Sequence, residues 1–315
     1  MISYISDSGL EKEFAKDVRM RNVDQKFFYI GSLNAEYYYN TANKNKSHLN
    51  LKFSDKECFD FLKKQVNTRE KNVLISLGCG NAGPEKGTLR EIAKNNFNFD
   101  YVGVDISTPM LNMAQENLKN IKIKKNFIQA DFSEESFILG IADLTKDYDK
   151  KIVVFGGGTL GNVNQTNIAD ILYNLLSDDD ILLIEVLTRP NLSLESDMKI
   201  FNRYAEYIED EDVINFFFLP LKKIGIPFSS GKIILKTVIE KSVGALLFSF
   251  YFKLKEKVVI TLRGEKIHLL PDEEIKLPSI RVYQSDTLIK FFEEHDFTLI
   301  DRQAKCGLEQ IMFKK

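Results

Sequence analysis

The chain has 315 residues, a length that predicts two domains or one enlarged domain. Its 43 basic residues nearly balance its 45 acidic residues, for a net charge of −2, which argues against a nucleic acid as partner. The longest apolar candidate, Val243–Phe252, is too short to cross a bilayer, so no membrane partner is expected.

The cysteines Cys58, Cys79 and Cys306 are odd in number and widely spaced. Such a set predicts neither a disulfide framework nor a bound metal. The beginning of the chain lacks the basic and then apolar pattern of a secretory signal. We therefore expect a cytoplasmic protein.

Residues 1–70 have the pattern of helices and loops. Ser8–Glu11 and Ser54–Glu57 have the spacing of capping boxes, in which a serine and a glutamate satisfy the free amides at a helix start. Between them lie two aromatic segments, Phe27–Tyr29 and Tyr37–Tyr39, that are too irregular for one amphipathic helix.

From residue 71 onward, short apolar runs alternate with helical periodicity. Strands that are apolar on both faces and alternate with helices predict a mostly parallel sheet covered by helices on both sides. The predicted strands are Val73–Leu77, Tyr101–Val104, Phe127–Ala130, Ile152–Phe155 and Ile181–Leu187.

Residues 191 to about 240 interrupt this alternation. A long amphipathic helix is predicted near 194–208, followed by an apolar segment at 216–221. Strand-like runs at 243–252 and 257–262 predict an antiparallel hairpin. The interruption indicates a second domain inserted into the sheet domain.

The last residues return to the earlier pattern, with a helix predicted near 286–295 and strands at 297–301 and 310–313. The predicted organisation therefore has three parts. They are an N-terminal helical segment (1–61), a sheet domain (62–190 and 285–315) and an inserted α+β domain (191–284).

Glycine clusters directly after the first predicted strand. Gly78, Gly80 and Gly83 spell G-x-G-x-x-G, a pattern that lets the backbone approach a nucleotide closely. Asp105 ends the second strand, where a carboxylate can accept hydrogen bonds from both ribose hydroxyls. Asp131 ends the third, where an acceptor can meet an adenine amino group.

Each of these features has a structural alternative, namely a tight turn, a helix cap or a solvated loop residue. The three strand ends in series favour a bound adenosine. A second cluster, Gly156–Asn162, follows the fourth strand and combines little side-chain bulk with a hydroxyl and an amide. It suits the close approach of a small polar molecule, although adjacent glycines also occur in plain loops.

The segment Val73–Gly80, followed by Asp105 and Ala130–Phe132, resembles the class I S-adenosylmethionine-dependent methyltransferases. The resemblance implies a Rossmann-like sheet of seven strands and S-adenosylmethionine as cofactor. Ser76 departs from it, since the family commonly has an acidic residue there. The implied cofactor-binding residues are Gly78, Cys79, Gly80, Asp105, Ile106, Asp131, Phe132, Gly156 and Gly157.

Gly157–Asn162 is similar to the Gly-Gly-Thr-Ile-Gly-Asn motif of the histidine-specific α-N-methyltransferase family. Lys26–Ser32 and Glu36–Thr41 resemble two aromatic elements of that family that line its amino-acid pocket. The resemblance implies Asn162, Tyr29 and Tyr38 as catalytic residues. The implied substrate-binding residues are Tyr29, Tyr38, Tyr39, Thr159, Asn162 and Ser279.

Leu277 stands where the family's histidine enzymes have the glutamate that reads the imidazole, and only Ser279 matches their Glu-x-Ser element. We therefore expect an N-methyltransferase acting on a small amine, an amino acid or derivative other than histidine. Two alternatives stay open, a non-catalytic protein that binds S-adenosylmethionine and an NAD-dependent oxidoreductase. The second accounts for Gly78–Gly83 and not for Gly156–Asn162.

Overall fold

The computed structural model describes residues 1–44, 53–189 and 194–315. The α-helices in these ranges are α1 (Asp7–Met20), α2 (Ser32–Lys44), α3 (Asp55–Leu62), α4 (Lys86–Lys94), α5 (Thr108–Leu118), α6 (Glu135–Thr145), α7 (Gln165–Leu175), α8 (Leu194–Tyr207), α9 (Glu211–Lys223) and α10 (Ser285–Glu293). In the same described residues, no helix combines the length and the apolar character that a membrane span requires.

The strands are β1 (Ile2–Ser3), β2 (Asn72–Leu77), β3 (Phe99–Asp105), β4 (Lys125–Gln129), β5 (Lys150–Phe155), β6 (Ile181–Leu187), β7 (Gly231–Glu240), β8 (Ala245–Leu254), β9 (Val258–Leu262), β10 (Glu265–Leu269), β11 (Glu274–Tyr283), β12 (Thr298–Lys305) and β13 (Leu308–Lys314). Short 3₁₀ turns at Gln25–Phe28 and Thr159–Asn162 lie beside the sheet ends.

Eight strands form the central sheet, in the order β1-β4-β3-β2-β5-β6-β13-β12. Neighbouring strands from β1 to β6 in this order are parallel, and β13 pairs antiparallel with both β6 and β12. The predicted α/β class and mostly parallel sheet are confirmed. The two-residue strand β1 adds an eighth member to the seven strands predicted.

The chain reverses its direction of travel across this sheet between β2 and β5. It runs from β2 outward to β3 and β4, then crosses back to β5 and continues to β6 on the other side. The loops that leave the carboxyl ends of β2 and β5 therefore diverge. A crevice opens at such a switch point, and ligands of open α/β sheets bind there.

The prediction of a hairpin between 243–252 and 257–262 is wrong. Strand β8 pairs with β7 and β11, and β9 pairs with β10. Arg263 and Gly264 have φ of 53° and 82°, so they make the two-residue turn that joins β9 to β10. Apolar periodicity marks a strand but does not name its partner. The apolar segment at 216–221 lies within helix α9.

Each face of the central sheet is covered by helices. One apolar core joins it to α6, α7 and α10, and another joins it to α3, α4 and α5. A third core lies between α9, the sheet β11-β8-β7 and N-terminal residues such as Phe28. The N-terminal segment thus packs on the inserted elements. The three-part domain division stays a prediction, and its limit at 190 and 191 falls outside the described residues.

The third core yields a stability prediction. Phe250 is fully buried and its ring centroid lies 4.7 Å from that of Phe217. We expect Phe250→Ala to lower the free energy of unfolding by about 3–5 kcal/mol, because it leaves a cavity among rigid neighbours. Val238, 57% exposed, is the matched control. Both variants are measured by urea titration. Val238→Ala should lower the free energy of unfolding by less than about 0.5 kcal/mol. Equal losses would contradict the assignment of this core.

Candidate functional site

A cleft opens at the carboxyl ends of β2 and β5, which is the position of the switch-point crevice described above. The N-terminal segment and α2 form one side of it, and strand ends and the turn Thr159–Asn162 form the other. It brings together residues from both predicted sets. They are Tyr29, Tyr38, Gly78, Gly80, Asp105, Ile106, Asp131, Phe132, Thr159 and Asn162.

Five other predicted residues do not line this cleft. Cys79 is buried against the sheet, and Tyr39 is 41% exposed on α2. Gly156 and Gly157 lie in the turn after β5. Ser279 lies behind Gln25. The backbone amide of Ser279 donates a hydrogen bond to Gln25 Oε1 at 3.0 Å.

The glycine turn after β2 brings backbone to the floor of the cleft. Gly78 has φ +66°, and a Cβ built there would lie 2.5 Å from Cγ2 of Thr159. Any larger residue at position 78 would therefore clash as well as strain the backbone. The amide of Cys79 donates to the carbonyl of Val104 at 2.9 Å and ties the turn to β3.

Asp105 stands at the end of β3 with its carboxylate held by two backbone amides. Gly80 donates to Oδ2 and Ser107 to Oδ1, both at 2.8 Å. Burial raises the pKa of Asp105 above its ordinary value, and the amide hydrogen bonds oppose this rise. Each oxygen keeps a further lone pair, so the carboxylate can accept two more hydrogen bonds from a ligand such as a ribose.

Asp131, at the end of β4, is held by the N-terminal segment. Lys26 Nζ lies 2.7 Å from its Oδ2 and 2.5 Å from Oε1 of Glu13. Ser133 donates its amide and its hydroxyl to Oδ1. Burial alone would raise the pKa of Asp131, but Lys26 and Ser133 bring it below its ordinary value. The ion pair fixes the N-terminal segment across the mouth of the cleft.

Two carbonyls from neighbouring strand ends converge on one hydroxyl. Thr159 Oγ1 donates to the carbonyl of Gly156 at 2.8 Å and lies 3.5 Å from that of Gly78. Arg281 Nη1 donates to the carbonyl of Gly161 at 2.7 Å and holds this turn against β11. Convergent carbonyl acceptors suit a multiple hydrogen-bond donor such as an ammonium group.

The other end of the cleft is polar, half-buried and neutral. Asn162 Nδ2 donates to the Tyr29 hydroxyl at 3.3 Å, and Gln25 Nε2 donates to Asn162 Oδ1 at 2.7 Å. The rings of Tyr29 and Tyr38 meet edge to face at 5.1 Å. Burial raises the pKa of Tyr29 to about 12 and that of Tyr38 further, so both phenols stay protonated at neutral pH.

A buried glutamate lies beside the position where the family pattern is broken. Ser76 Oγ donates to Glu85 Oε1 at 2.5 Å, while Glu85 Oε2 has no hydrogen-bond partner. A Cβ built on Gly156 would lie 3.3 Å from Glu85 Oε1. Through this hydrogen bond, Ser76 holds the carboxyl group of Glu85, a residue of the loop after β2, close to the switch point of the sheet. Burial raises the pKa of Glu85 to about 7.

The sequence motifs did not single out Gln25, Glu85 or Arg281 as functional residues. Gln25 contacts Asn162, 137 residues away along the chain, and Glu85 contacts Ser76, 9 residues away. No local sequence pattern marks either contact. Lys26 was part of the aromatic element that carries the resemblance, but its pairing with Asp131 depends on the folded arrangement.

The charge of Glu85 predicts a pH-dependent stability. Its pKa is about 7 in the fold against 4.5 when exposed, so stability falls as the pH rises between those values. Glu85→Gln removes this penalty. We expect the variant without ligand to gain about 1–3 kcal/mol over the parent near pH 8 and little near pH 4.5, measured by urea unfolding.

The control for this experiment is Glu57→Gln. Glu57 is held by the Ser54 amide and by Lys305, which lower its pKa to about 2. Its charge stabilises the fold above pH 4.5, so removing it should lower stability near neutral pH. A loss of stability in Glu85→Gln near pH 8 would show that the carboxylate is stabilised in the fold.

Comparison with known proteins agrees with the resemblance seen in the sequence. Residues 56–186 match the model of the histidine-specific, SAM-dependent methyltransferase family. No curated protein matches the chain. Among solved structures, the CcbJ methyltransferase from Streptomyces caelestis is 13% identical, with a TM-score of 0.42 over 82% of this chain and 88% of that one.

A complex of DhpI with SAH is 9% identical, with a TM-score of 0.42 over 98% of each chain. Similarities this low do not identify a substrate. The family match covers the glycine turn, the ends of β3 and β4, and the turn Thr159–Asn162. It gives no support to an NAD-dependent oxidoreductase or to a protein without catalysis. The chain is an S-adenosylmethionine-dependent methyltransferase with a class I fold.

Proposed function

We propose that this enzyme transfers the methyl group of S-adenosylmethionine to the nitrogen of a small amine, namely an amino acid or a derivative of an amino acid. The observation that carries the proposal is the half-buried, neutral pair of Asn162 and Tyr29, which lies in the same cleft as Asp105 and Gly78. A cofactor anchored at the strand ends and an acceptor held by this pair would share one enclosed space.

The residues present fit the cofactor. Asp105 would hold the ribose through the free lone pairs of its carboxylate, with Ile106 and Phe132 beside the adenine. The carbonyl of Gly78, which now faces the Thr159 hydroxyl, would accept a hydrogen bond from the ammonium group. The bound cofactor supplies a methyl group on a sulfonium, and the protein supplies its position.

Methyl transfer to an amine depends mainly on orientation and exclusion of water. The nitrogen must arrive unprotonated with its lone pair directed at the methyl group. Tyr29 and Tyr38 keep their protons at neutral pH, so they orient the acceptor without adding charge. Asn162 offers hydrogen bonds from a second neutral group.

The surroundings of β11 support an acceptor other than histidine. Leu277 is buried, and Ser279 Oγ shares a hydrogen bond of 3.0 Å with Ser249 Oγ. Neither residue lines the cleft, and Leu277 brings no carboxylate to recognise an imidazole. An acceptor with a different side chain matches this arrangement better.

The direct test is a product search. The purified enzyme is incubated with S-adenosylmethionine carrying a deuterated methyl group and with amino acids, small peptides and simple amines. Mass spectrometry then identifies the labelled products. We expect the label on nitrogen of an amino acid or a derivative. Label found only on carbon or oxygen would contradict the proposal, as would turnover confined to simple amines.

Substitutions at the acceptor end should separate acceptor use from cofactor binding. Asn162→Ala and Tyr29→Phe each remove one hydrogen bond, so we expect the acceptor KM to rise about 5–30-fold. The Kd for S-adenosylmethionine, measured by calorimetry, should change less than about twofold, since neither group faces the strand-end carbonyls.

Matched controls are Asn95→Ala and Tyr173→Phe. Asn95 is the residue that ends α4, Tyr173 lies on α7, and neither lines the cleft. Both should keep the parent kinetics. If Asn162→Ala weakened cofactor and acceptor equally, the division of the cleft into two ends would be wrong.

A further inference from the structure

Gln25 links three parts of the chain at the acceptor end of the cleft. It begins the 3₁₀ turn of the N-terminal segment, and its side chain lies between Asn162 and strand β11. Its Oε1 accepts from the backbone amide of Ser279 at 3.0 Å, and its Nε2 donates to Asn162 Oδ1 at 2.7 Å.

The partner on β11 is fixed by the sheet. β11 is an edge strand of β11-β8-β7, so its outward amides are free to pair with another segment. Lys276 donates its amide to the Arg21 carbonyl at 2.9 Å, and Ser279 donates to Gln25. The strand edge therefore receives the N-terminal segment from Arg21 to Gln25.

A backbone amide can only donate, and this decides the direction of every hydrogen bond that follows. Because Ser279 donates, Gln25 must present its oxygen to β11 and its nitrogen to Asn162. Asn162 must then present its oxygen to Gln25 and its nitrogen to Tyr29. The Tyr29 oxygen accepts this bond at 3.3 Å, which leaves its own proton unused in the pair.

The result is a cleft wall that offers hydrogen-bond donors. Asn162 Nδ2 has a second hydrogen, and the Tyr29 hydroxyl has its own. Donors bind the oxygens of a carboxylate and leave the lone pair of an adjacent amine unengaged, as methyl transfer to nitrogen requires.

We propose that Gln25 is a positioning residue that selects the acceptor, an inference that rests on the proposed function. Through Asn162 and Tyr29 it makes this wall a hydrogen-bond donor, and so favours an acceptor with a carboxylate beside its amine. Gln25 itself lines the cleft, and its proposed effect on the acceptor is the orientation of these two side chains.

Two substitutions of similar length test the direction of the network. In Gln25→Glu, the carboxylate can only accept, so Asn162 must turn its nitrogen toward residue 25 and its oxygen toward Tyr29. Tyr29 must then donate to Asn162, and both donors leave the wall. Gln25→Met keeps the length but removes both hydrogen bonds, so Asn162 is no longer oriented.

The first measurement needs no acceptor. With tyrosine labelled at ¹³Cζ and S-adenosylhomocysteine bound, Tyr29 is assigned by the loss of its signal in Tyr29→Phe. We expect Gln25→Glu, Gln25→Met and Asn162→Ala each to move that signal. Gln303→Met, a control near the opposite edge of the central sheet, should leave it in place. If both Gln25 variants leave the signal where it is while Asn162→Ala moves it, the proposal is overturned.

The second measurement uses the amino acid found in the product search. We expect the acceptor KM to rise about 10-fold or more in Gln25→Glu and less in Gln25→Met, with the cofactor Kd and thermal midpoint near parent values. Gln25→Met should have no further effect in the Asn162→Ala background. A full effect there would overturn the proposal, because Gln25 would then act independently.

The two measurements separate this inference from the proposed function. If no amine is methylated but the Tyr29 signal moves as expected, the orientation by Gln25 stands and the proposed function fails. If amines that lack a carboxylate are methylated as efficiently as amino acids, the selection attributed to Gln25 is wrong and amine methylation stands.

Discussion

The arrangement of the active cleft depends on the ion pair between Lys26 and Asp131. The two side chains are only 14% and 16% exposed, and 105 residues separate them along the chain. Removing such charges from water is costly unless each is well paired. Glu13 and Ser133 complete the pairing, so the pair holds α1 and the N-terminal segment to the end of β4. Gln25 and Tyr29, beside Lys26 in sequence, are thereby placed over the crevice.

The opposite wall contains backbone groups as well as the side chains of Asp105, Phe132 and Thr159. The carbonyls of Gly78 and Gly156 and the amide of Gly80 all face groups at the strand ends, and the left-handed φ of Gly78 and Gly80 permits this. Parallel strands end at one edge of a sheet, so β2 and β5 deliver these groups to one place. The cleft therefore joins groups at the strand ends to the side chains of Asn162 and Tyr29 at its other end.

The sequence features that predict a cofactor site at the strand ends are local. A glycine turn after an apolar strand, and an aspartate after each of the next two strands, are readable within a few residues. The assignment of Tyr29, Tyr38 and Asn162 to an acceptor site comes from the family resemblance alone and stays a prediction. Gln25 and Glu85 were missed, since their roles arise from contacts with Asn162, Ser279 and Ser76 that no periodicity encodes.

By itself, the sequence determined the α/β class, the five strands of the parallel sheet and the glycine turns, because strand periodicity and turn chemistry act over short distances. Tertiary structure decided the rest. It paired β8 with β7 and β11 instead of with β9, because an antiparallel partner is chosen by turn geometry and core packing. It also brought residues 25, 162 and 279 within hydrogen-bonding distance, which only the folded chain can do.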